Sequence, residues 1–270
     1  MSIPRLVASD IDGTLLDPLE QIRPRTAAVV HRLQAADVPF ILATGRAPRF
    51  VIPVSRMLDA PGLAVCINGA VVFDTRSEQV RSMHTLDAVL LNDVGEALLR
   101  LLPGCTLAVE RIKTTGTGLN DEFLGGPGYV HPWSTESLIQ SATIAEILGR
   151  PAVRLMARHD SLSSDEMAAA VTTMLGDVVE VAYSTDLGLI DVMPSGISKA
   201  SGLAEITEDL GISAAEVIAF GDMPNDLPML RWVGHGVAMG NAHPEVRDIA
   251  DEVTVSNAED GVAHVLERWF

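Results

Sequence analysis

The chain has 270 residues, of which 47% are hydrophobic and 20% are charged. This length and composition predict a well-packed globular protein with two domains of ordinary size, and they exclude a disordered chain. The formal net charge is −17, so the surface repels nucleic acids and anionic lipids, and neither is expected as a partner. The first apolar run begins too close to Met1 for a signal peptide, and no run is long enough to span a bilayer, which favours a cytoplasmic location.

Short apolar segments alternate with segments of helical periodicity at the start of the chain. We predict strands at residues 6–9 and 40–43 and helices at residues 26–36 and 47–58. Such alternation predicts βαβ units around a parallel sheet. Three closely spaced strands are predicted next, at residues 63–67, 71–74 and 80–84. Their short connections indicate antiparallel pairing.

The pattern changes between residues 85 and 187. The predicted elements there are helices at 87–102, 135–148 and 165–175, and strands at 106–112, 153–157 and 178–183. After residue 187 the first pattern resumes, with a strand ending at 192, strands at 217–220 and 236–239, and helices at 199–210, 227–232 and 261–270. We therefore predict an α/β fold. A doubly wound, mainly parallel, Rossmann-like core of residues 1–84 and 188–270 is interrupted by an inserted α/β domain of residues 85–187.

Two acidic residues directly follow the first predicted strand, in the segment Asp10-Ile11-Asp12-Gly13-Thr14. Ligand sites of open parallel sheets lie at the carboxyl ends of the strands, so both carboxylates arrive where a site is expected. There they can serve as oxygen ligands for a hard cation, or as a nucleophile and an acid/base group. Asp and Gly also dominate ordinary turns, so this segment alone leaves a purely structural turn open.

Other strand ends carry further polar groups. The second strand is followed by Thr44-Gly45-Arg46, whose hydroxyl, amide and guanidinium suit an anion. A later strand is followed by Asp222 and by Asn225-Asp226. Lys199 opens a helix, where the helix dipole disfavours a cation, and a bound phosphate beside carboxylates would explain it. Taken singly, each of these features is also explained by helix capping or by a solvated surface lysine.

Taken together, the motifs resemble those of the haloacid dehalogenase (HAD) superfamily, and specifically its Cof-type sugar-phosphatase branch. The matching segments are Asp10-Ile-Asp-Gly-Thr-Leu-Leu, Ala43-Thr-Gly-Arg, Gly196-Ile-Ser-Lys199 and Gly221-Asp-Met-Pro-Asn-Asp226. Their order and approximate spacing also match, which makes the set specific. Two further pieces typical of that branch are Ile67-Asn-Gly-Ala70 and Ala238-Met-Gly-Asn-Ala242. The resemblance implies a HAD core with an inserted α/β cap domain.

The resemblance also implies roles for the acidic residues. Asp10 would be the nucleophile, and its second oxygen would bind Mg²⁺. Asp12 would protonate the leaving oxygen, later activate water, and bind Mg²⁺ through its backbone carbonyl. Because family members that cleave carbon–halogen bonds lack this second acid, Asp12 favours phosphoryl transfer. Asp222 would complete the protein ligands of Mg²⁺, and Asp226 would orient Lys199 or groups around the metal.

The transferring phosphoryl group would be held by side chains of the same motifs. Thr44 and Lys199 are expected to act in catalysis, by hydrogen bonding to the phosphoryl group and by neutralising its charge. Phosphate or substrate contacts are expected from Thr44, Gly45, Arg46, Asn68, Lys199 and Asn225. Oxygen ligands without a His or Cys cluster suit Mg²⁺ better than zinc.

The predicted function is Mg²⁺-dependent hydrolysis of a small phosphomonoester, a sugar phosphate or a phosphorylated cofactor, through an aspartyl-phosphate on Asp10. The alternatives are a phosphosugar mutase and a non-catalytic regulatory protein that binds a phosphorylated metabolite. The cap would set substrate choice. Its glycine-rich loop at 116–128, Arg154 and Tyr183 either line a substrate pocket or only build the surface of the cap. The sequence leaves the physiological substrate and the oligomeric state open.

Overall fold

The computed structural model describes residues 3–113, 121–132 and 138–270. The chain divides into two compact units. The first, which we call the core unit, comprises Met1–Ser82 and Ser198–Phe270, and the second, the inserted unit, comprises Met83–Ile197. These boundaries differ from the expected ones, which fell after residues 84 and 187.

From residue 3 onward, the core unit contains an eight-stranded sheet in the order β14-β13-β12-β1-β2-β3-β4-β5. Its strands are β1 Leu6–Ser9, β2 Phe40–Ala43, β3 Leu63–Cys66, β4 Val71–Asp74, β5 Gln79–Met83, β12 Val217–Gly221, β13 His235–Ala238 and β14 Glu252–Val253. All pairs from β14 to β3 are parallel, and β4 is antiparallel to β3, as its short connection predicted. The strands β1, β2 and β12 are buried along their whole length, as expected when both faces of a parallel sheet are covered.

Within the residues that the structure describes, the core unit has six α-helices. They are α1 Pro24–Ala35, α2 Pro48–Met57, α6 Lys199–Leu210, α7 Leu227–Trp232, α8 Pro244–Ile249 and α9 Gly261–Leu266. The helix α6 begins after Ser198, whose hydroxyl accepts a hydrogen bond from the backbone N–H of Ser201, and it ends at Gly211 in the left-handed conformation. These caps place Lys199 on the first turn of α6. The expected doubly wound α/β fold is confirmed.

The described part of the inserted unit, which leaves out residues 114–120 and 133–137, contains a six-stranded sheet in the order β10-β11-β9-β6-β7-β8. Its elements are β6 Thr106–Arg111, β7 Glu122–Gly125, β8 Gln140–Ser141, β9 Arg154–Arg158, β10 Val179–Ala182, β11 Leu189–Pro194, α3 Ala88–Leu101, α4 Ile144–Leu148 and α5 Ser164–Leu175. Alternate residues of β6, such as Leu107 and Val109, join one apolar cluster with Leu98 of α3 and Met167 of α5. The helices therefore cover the face of the sheet to which these side chains point.

The strand β11 belongs to the inserted unit, whereas the sequence pattern assigned it to the core. It pairs with β10 on one side and β9 on the other, antiparallel to both. Its buried Ile190 and Val192 join the same apolar cluster, and Asp191 forms an ion pair of 2.9 Å with Arg154. An apolar strand pattern predicts burial but does not specify the sheet in which the strand pairs, so the expected boundary lay too early in the chain.

Two other expectations from the sequence need correction. The glycine-rich loop predicted at 116–128 contains the strand β7, and its residues 116–120 lie outside the described residues. The helix predicted at 135–148 is restricted to α4, because Thr143 caps it in a capping box with Glu146, and residues 135–137 lie outside the described ranges. The short elements β8, α8 and β14 were not predicted.

Arg154 and Tyr183 make contacts within the inserted unit. The Arg154 side chain is 9% exposed and forms ion pairs with Glu110, at 2.6 Å, and with Asp191. The Tyr183 hydroxyl donates to Asp165 Oδ1 at 3.1 Å. These contacts favour a structural role for both residues. In the ranges that the structure describes, no helix combines the length and the apolar character needed to cross a bilayer.

Asp74, at the end of β4, is expected to make the free energy of unfolding depend on pH. Burial alone would raise its pKa, but hydrogen bonds from Arg81, Ser77 and Arg76 lower the pKa from 3.8 to about 2. A depressed folded-state pKa gives stability that is present above the unfolded-state pKa and is lost as pH falls through the folded-state pKa. Asp74→Asn should therefore lower the free energy of unfolding by about 2 kcal/mol at pH 7, with little difference near pH 2.

Urea unfolding of both proteins between pH 7 and pH 2 measures this difference. Glu208→Gln, at an exposed carboxylate of α6, is the matched control and should leave the free energy of unfolding nearly unchanged. A destabilisation by Asp74→Asn that stays the same at every pH would contradict the assignment to the ionised carboxylate.

Candidate active site

Three neighbouring strands bring their polar residues to one edge of the core sheet. β12, β1 and β2 are parallel neighbours, so their carboxyl ends meet there. Asp10 follows β1, Thr44 follows β2 and Asp222 follows β12. All three are buried, with 5%, 1% and 5% of their surface exposed. The structure thus brings together residues that the sequence predicted at a single site.

Three buried aspartates form the centre of this site. Asp10, Asp222 and Asp226 each offer a carboxylate oxygen, and these atoms lie within 4.8 Å of one another. Thr14 Oγ1 donates to Asp222 Oδ1 at 2.9 Å. Gly13 has a φ of +74°, and a Cβ at this position would lie 2.2 Å from Asp222 Oδ2. Only glycine therefore lets the turn after β1 pass so close to this carboxylate.

Lys199 connects two of these aspartates. Its side chain is fully buried, and Nζ donates to Asp10 Oδ1 and to Asp226 Oδ1, both at 2.6 Å. Asp226 Oδ2 in turn accepts from the backbone N–H groups of Asp222 and Met223, at 2.9 and 3.0 Å. Asp226 therefore orients Lys199 and holds the turn that carries Asp222.

Burial, together with the crowding of carboxylates, raises the pKa values of Asp10 and Asp222. Burial is the largest cause for Asp10, whose pKa lies well above its usual 3.8; Lys199 lowers it, and the other aspartates raise it further. Burial and then the charge of Asp226 raise the pKa of Asp222 to about 7, against the hydrogen bond from Thr14. A cluster that disfavours its own ionisation in this way fits a bound cation, which would stabilise the charged forms.

The side chain of Asp12 points to Arg46 and is half exposed, at 53%. Arg46 Nε donates to Asp12 Oδ2 at 2.8 Å and Nη2 to Oδ1 at 2.5 Å. The backbone N–H of Arg46 donates to Thr44 Oγ1 at 3.1 Å. Arg46 was expected to contact the substrate phosphate. Its guanidinium instead binds Asp12, the residue expected to act as acid and base.

A strained loop after β3 supports the site. Ile67, Asn68 and Gly69 all have positive φ, at 48°, 51° and 103°, and for a β-branched isoleucine this conformation is costly. The loop is held by hydrogen bonds from Ile67 N to Arg46 O and from Asn68 N to Thr44 O, both at 3.0 Å. A Cβ on Gly69 would lie 2.0 Å from the Ser198 carbonyl oxygen. This loop therefore fixes both Thr44 and the start of α6.

Two asparagines complete the buried part of the site. Asn225 Nδ2 donates to Asn68 Oδ1 at 3.0 Å, so the two predicted phosphate contacts lie together. Gly45 lies against them, since a Cβ there would be 3.2 Å from Asn68 Oδ1. Asn225 Oδ1 is buried without a hydrogen-bond partner in the described part of the chain. A buried acceptor without a donor next to an acidic cluster fits a hydrated cation or a substrate hydroxyl.

Sequence reasoning missed residues that position the turn after β1. Asn241 Nδ2 donates to the Gly13 carbonyl oxygen at 2.8 Å, and Asn257 N–H donates to Asn241 Oδ1 at 3.0 Å. Thr14, which binds Asp222, was likewise not singled out. Asn241 lies in a segment that matched the phosphatase branch, so the signal was present, but the sequence did not indicate its partner.

An open parallel sheet with a buried lysine among aspartates at its carboxyl edge defines an α/β enzyme equipped for anionic substrates. Residues 7–266 match the model of the haloacid dehalogenase-like hydrolases, and the chain belongs to this family. It is 30% identical to the 5-amino-6-(5-phospho-D-ribitylamino)uracil phosphatase YitU of Bacillus subtilis, over 99% of this chain and 98% of that protein. It is 28% identical to an HMP-PP phosphatase of Serratia proteamaculans, over 98% of this chain and 95% of that protein.

A solved structure gives the same picture. A haloacid dehalogenase-like hydrolase from Bacteroides thetaiotaomicron superimposes with a TM-score of 0.76 at 25% identity, over 99% of this chain and all of the other. The resemblance to the superfamily and to its Cof-type branch is confirmed, and the chain is a phosphatase of the HAD type. Phosphatases of this family use a divalent metal, and the buried aspartates are a group that can hold one.

Proposed function

We propose that the chain is a Mg²⁺-dependent phosphatase that hydrolyses a small phosphomonoester through an aspartyl-phosphate on Asp10. The contact of Lys199 Nζ with Asp10 Oδ1, at 2.6 Å, carries this proposal. It holds the nucleophile beside a buried positive charge, where the negative charge of a transferring phosphoryl group would be stabilised. The relatives that act on phosphorylated small molecules support the substrate class.

The reaction proceeds in two steps. In the first, a carboxylate oxygen of Asp10 forms a bond to phosphorus while the bond from phosphorus to the leaving oxygen breaks, and Asp12 gives its proton to that oxygen. In the second, Asp12 takes a proton from water, whose oxygen attacks phosphorus. The bond to Asp10 breaks and inorganic phosphate leaves.

The residues around the nucleophile have distinct tasks. Mg²⁺ would be held by Asp10, Asp222 and the backbone carbonyl of Asp12, and when bound it supplies positive charge that stabilises the phosphoryl oxygens. Asp226 keeps Lys199 in place. The phosphoryl group would be bound by Lys199, Thr44, the backbone of Gly45, Asn68 and Asn225.

We further propose that the substrate is a sugar phosphate or a phosphorylated cofactor, and that the inserted unit determines which one. Two relatives named for different phosphorylated metabolites match nearly the whole chain at similar identity, so overall similarity does not select between these substrates.

Phosphate release from a panel of sugar phosphates, phosphorylated cofactors and nucleotides, with Mg²⁺ or EDTA, tests the function. Selective release that requires Mg²⁺ is expected. Asp222→Asn should lower kcat/KM by roughly 100-fold or more at a fixed Mg²⁺ concentration, and should remove the rise in Tm that Mg²⁺ gives the native chain.

Asp248→Asn, at an exposed aspartate of α8, is the matched control and should change neither quantity. Release that persists in EDTA would contradict the metal requirement. An isomerised sugar phosphate without free phosphate would indicate a mutase, and binding without turnover of any ester would indicate a regulatory protein.

A further inference from the structure

The guanidinium of Arg46 donates a bidentate pair of hydrogen bonds to the carboxylate of Asp12. Its Nε and Nη2 bond to the two carboxylate oxygens at 2.8 and 2.5 Å. Such paired contacts fix the plane of a carboxylate as well as its distance. The Asp12 side chain is 53% exposed, so little packing restrains its rotation. The two hydrogen bonds from Arg46 therefore restrain this side chain.

Both ends of this contact are anchored in the fold. The backbone of Arg46 donates to Thr44 Oγ1 and accepts from Ile67 N–H, at 3.1 and 3.0 Å. The turn that carries Asp12 is held at the Gly13 carbonyl by Asn241, at 2.8 Å. The pair thus joins the loops that follow two adjacent parallel strands, β1 and β2. Because the backbone of Arg46 is held by these hydrogen bonds, its side chain can fix the orientation of Asp12.

We propose that Arg46 is a positioning residue that acts on the reaction through Asp12. This inference rests on the proposed function, in which Asp12 exchanges protons with the leaving oxygen and with water. Each carboxylate oxygen carries two lone pairs, and Arg46 engages only one on each. The others stay available to a substrate, so Asp12 can work while it is held. Arg46 keeps it within reach of the leaving oxygen.

A comparison of leaving groups separates this role from direct phosphate binding. An alkyl phosphomonoester needs a proton on its leaving oxygen, whereas p-nitrophenyl phosphate does not, because nitrophenolate leaves unaided. Arg46→Ala should lower kcat/KM roughly 100-fold for the fastest alkyl ester of the panel and less than about 10-fold for p-nitrophenyl phosphate. Arg46→Lys should show most of this selective loss, because lysine keeps the charge but cannot make the bidentate contact.

A double-mutant cycle supplies the second readout. Asp12→Asn alone should show the same dependence on the leaving group, and adding Arg46→Ala to it should change kcat/KM by less than about threefold, because the residue through which Arg46 acts is already gone. Arg56→Ala, which removes a surface arginine paired with Glu78 at 2.7 Å, is the matched control and should leave both esters unaffected.

Equal losses for both esters, additive with Asp12→Asn, would overturn the positioning role and assign Arg46 to the phosphate. Unchanged kinetics in Arg46→Ala would overturn it as well. If the native chain releases no phosphate from any ester, the proposed function fails, and this inference fails with it. Tm values of the Arg46 variants within about 2 °C of the native chain would exclude unfolding as the cause of a loss.

Discussion

Asp10→Asn should abolish phosphate release, with kcat reduced on the order of 10⁴-fold or more for every substrate. The amide keeps the shape of the side chain, but it has no anionic oxygen to attack phosphorus. Native protein quenched in acid during turnover should carry one phosphoryl group on the peptide that contains Asp10, and hydroxylamine should remove it. The variant should carry none. Turnover that persists unchanged in Asp10→Asn would remove the proposed mechanism.

The same variant should not be less stable than the native chain when Mg²⁺ is absent. Burial, followed by the neighbouring aspartates, raises the pKa of Asp10 against the effect of Lys199. A carboxyl whose pKa is raised by folding stabilises the folded state at low pH, and this contribution is lost as pH rises through the folded-state pKa. In EDTA, the Tm of the variant relative to that of the native chain should therefore increase from pH 5 to pH 8. A Tm of the variant well below that of the native chain at pH 8 would contradict the conclusion that the buried charge of Asp10 destabilises the fold.

The core of the site could be predicted because parallel strands restrict where their ends lie. Once β1, β2 and β12 are recognised as strands of one sheet, Asp10, Thr44 and Asp222 must meet at its carboxyl edge. The position of Lys199 at a helix start was anomalous in isolation, and its two aspartate contacts explain it. Chain topology, together with the matched motifs, carries this part of the prediction.

The remaining features depend on the directions in which side chains point, and the sequence pattern does not reveal these directions. Arg46 and Asp12 belong to separate loops, and only the backbone geometry of both loops decides that the guanidinium meets the carboxylate. The same holds for Asn225 and Asn68, which lie 157 residues apart. The placement of β11 failed for a related reason, since alternating burial of Ile190 and Val192 fits either sheet. Pairing over long distances is set by packing of the whole unit.

Lys199→Met should damage both catalysis and folding. Methionine has a similar length but no charge, so Asp10 and Asp226 would face each other without a cation between them. We expect kcat to fall roughly 10²- to 10³-fold, because the positive charge at the phosphoryl group is lost. The free energy of unfolding at pH 7 without metal should fall by about 3 kcal/mol or more, as for other buried ion pairs that lose one partner. Phosphate release and urea unfolding measure the two effects.

A second substitution separates these two consequences. In Lys199→Met with Asp226→Asn, one of the two uncompensated carboxylates is gone, and the amide oxygen can still accept from the backbone N–H groups of Asp222 and Met223. The double variant should therefore regain at least about 1 kcal/mol of the lost stability and none of the lost activity. If stability does not recover, the destabilisation comes from packing. If activity recovers with stability, Lys199 acts only by holding the fold, because a charge needed at the phosphoryl group cannot be replaced by removing its partner.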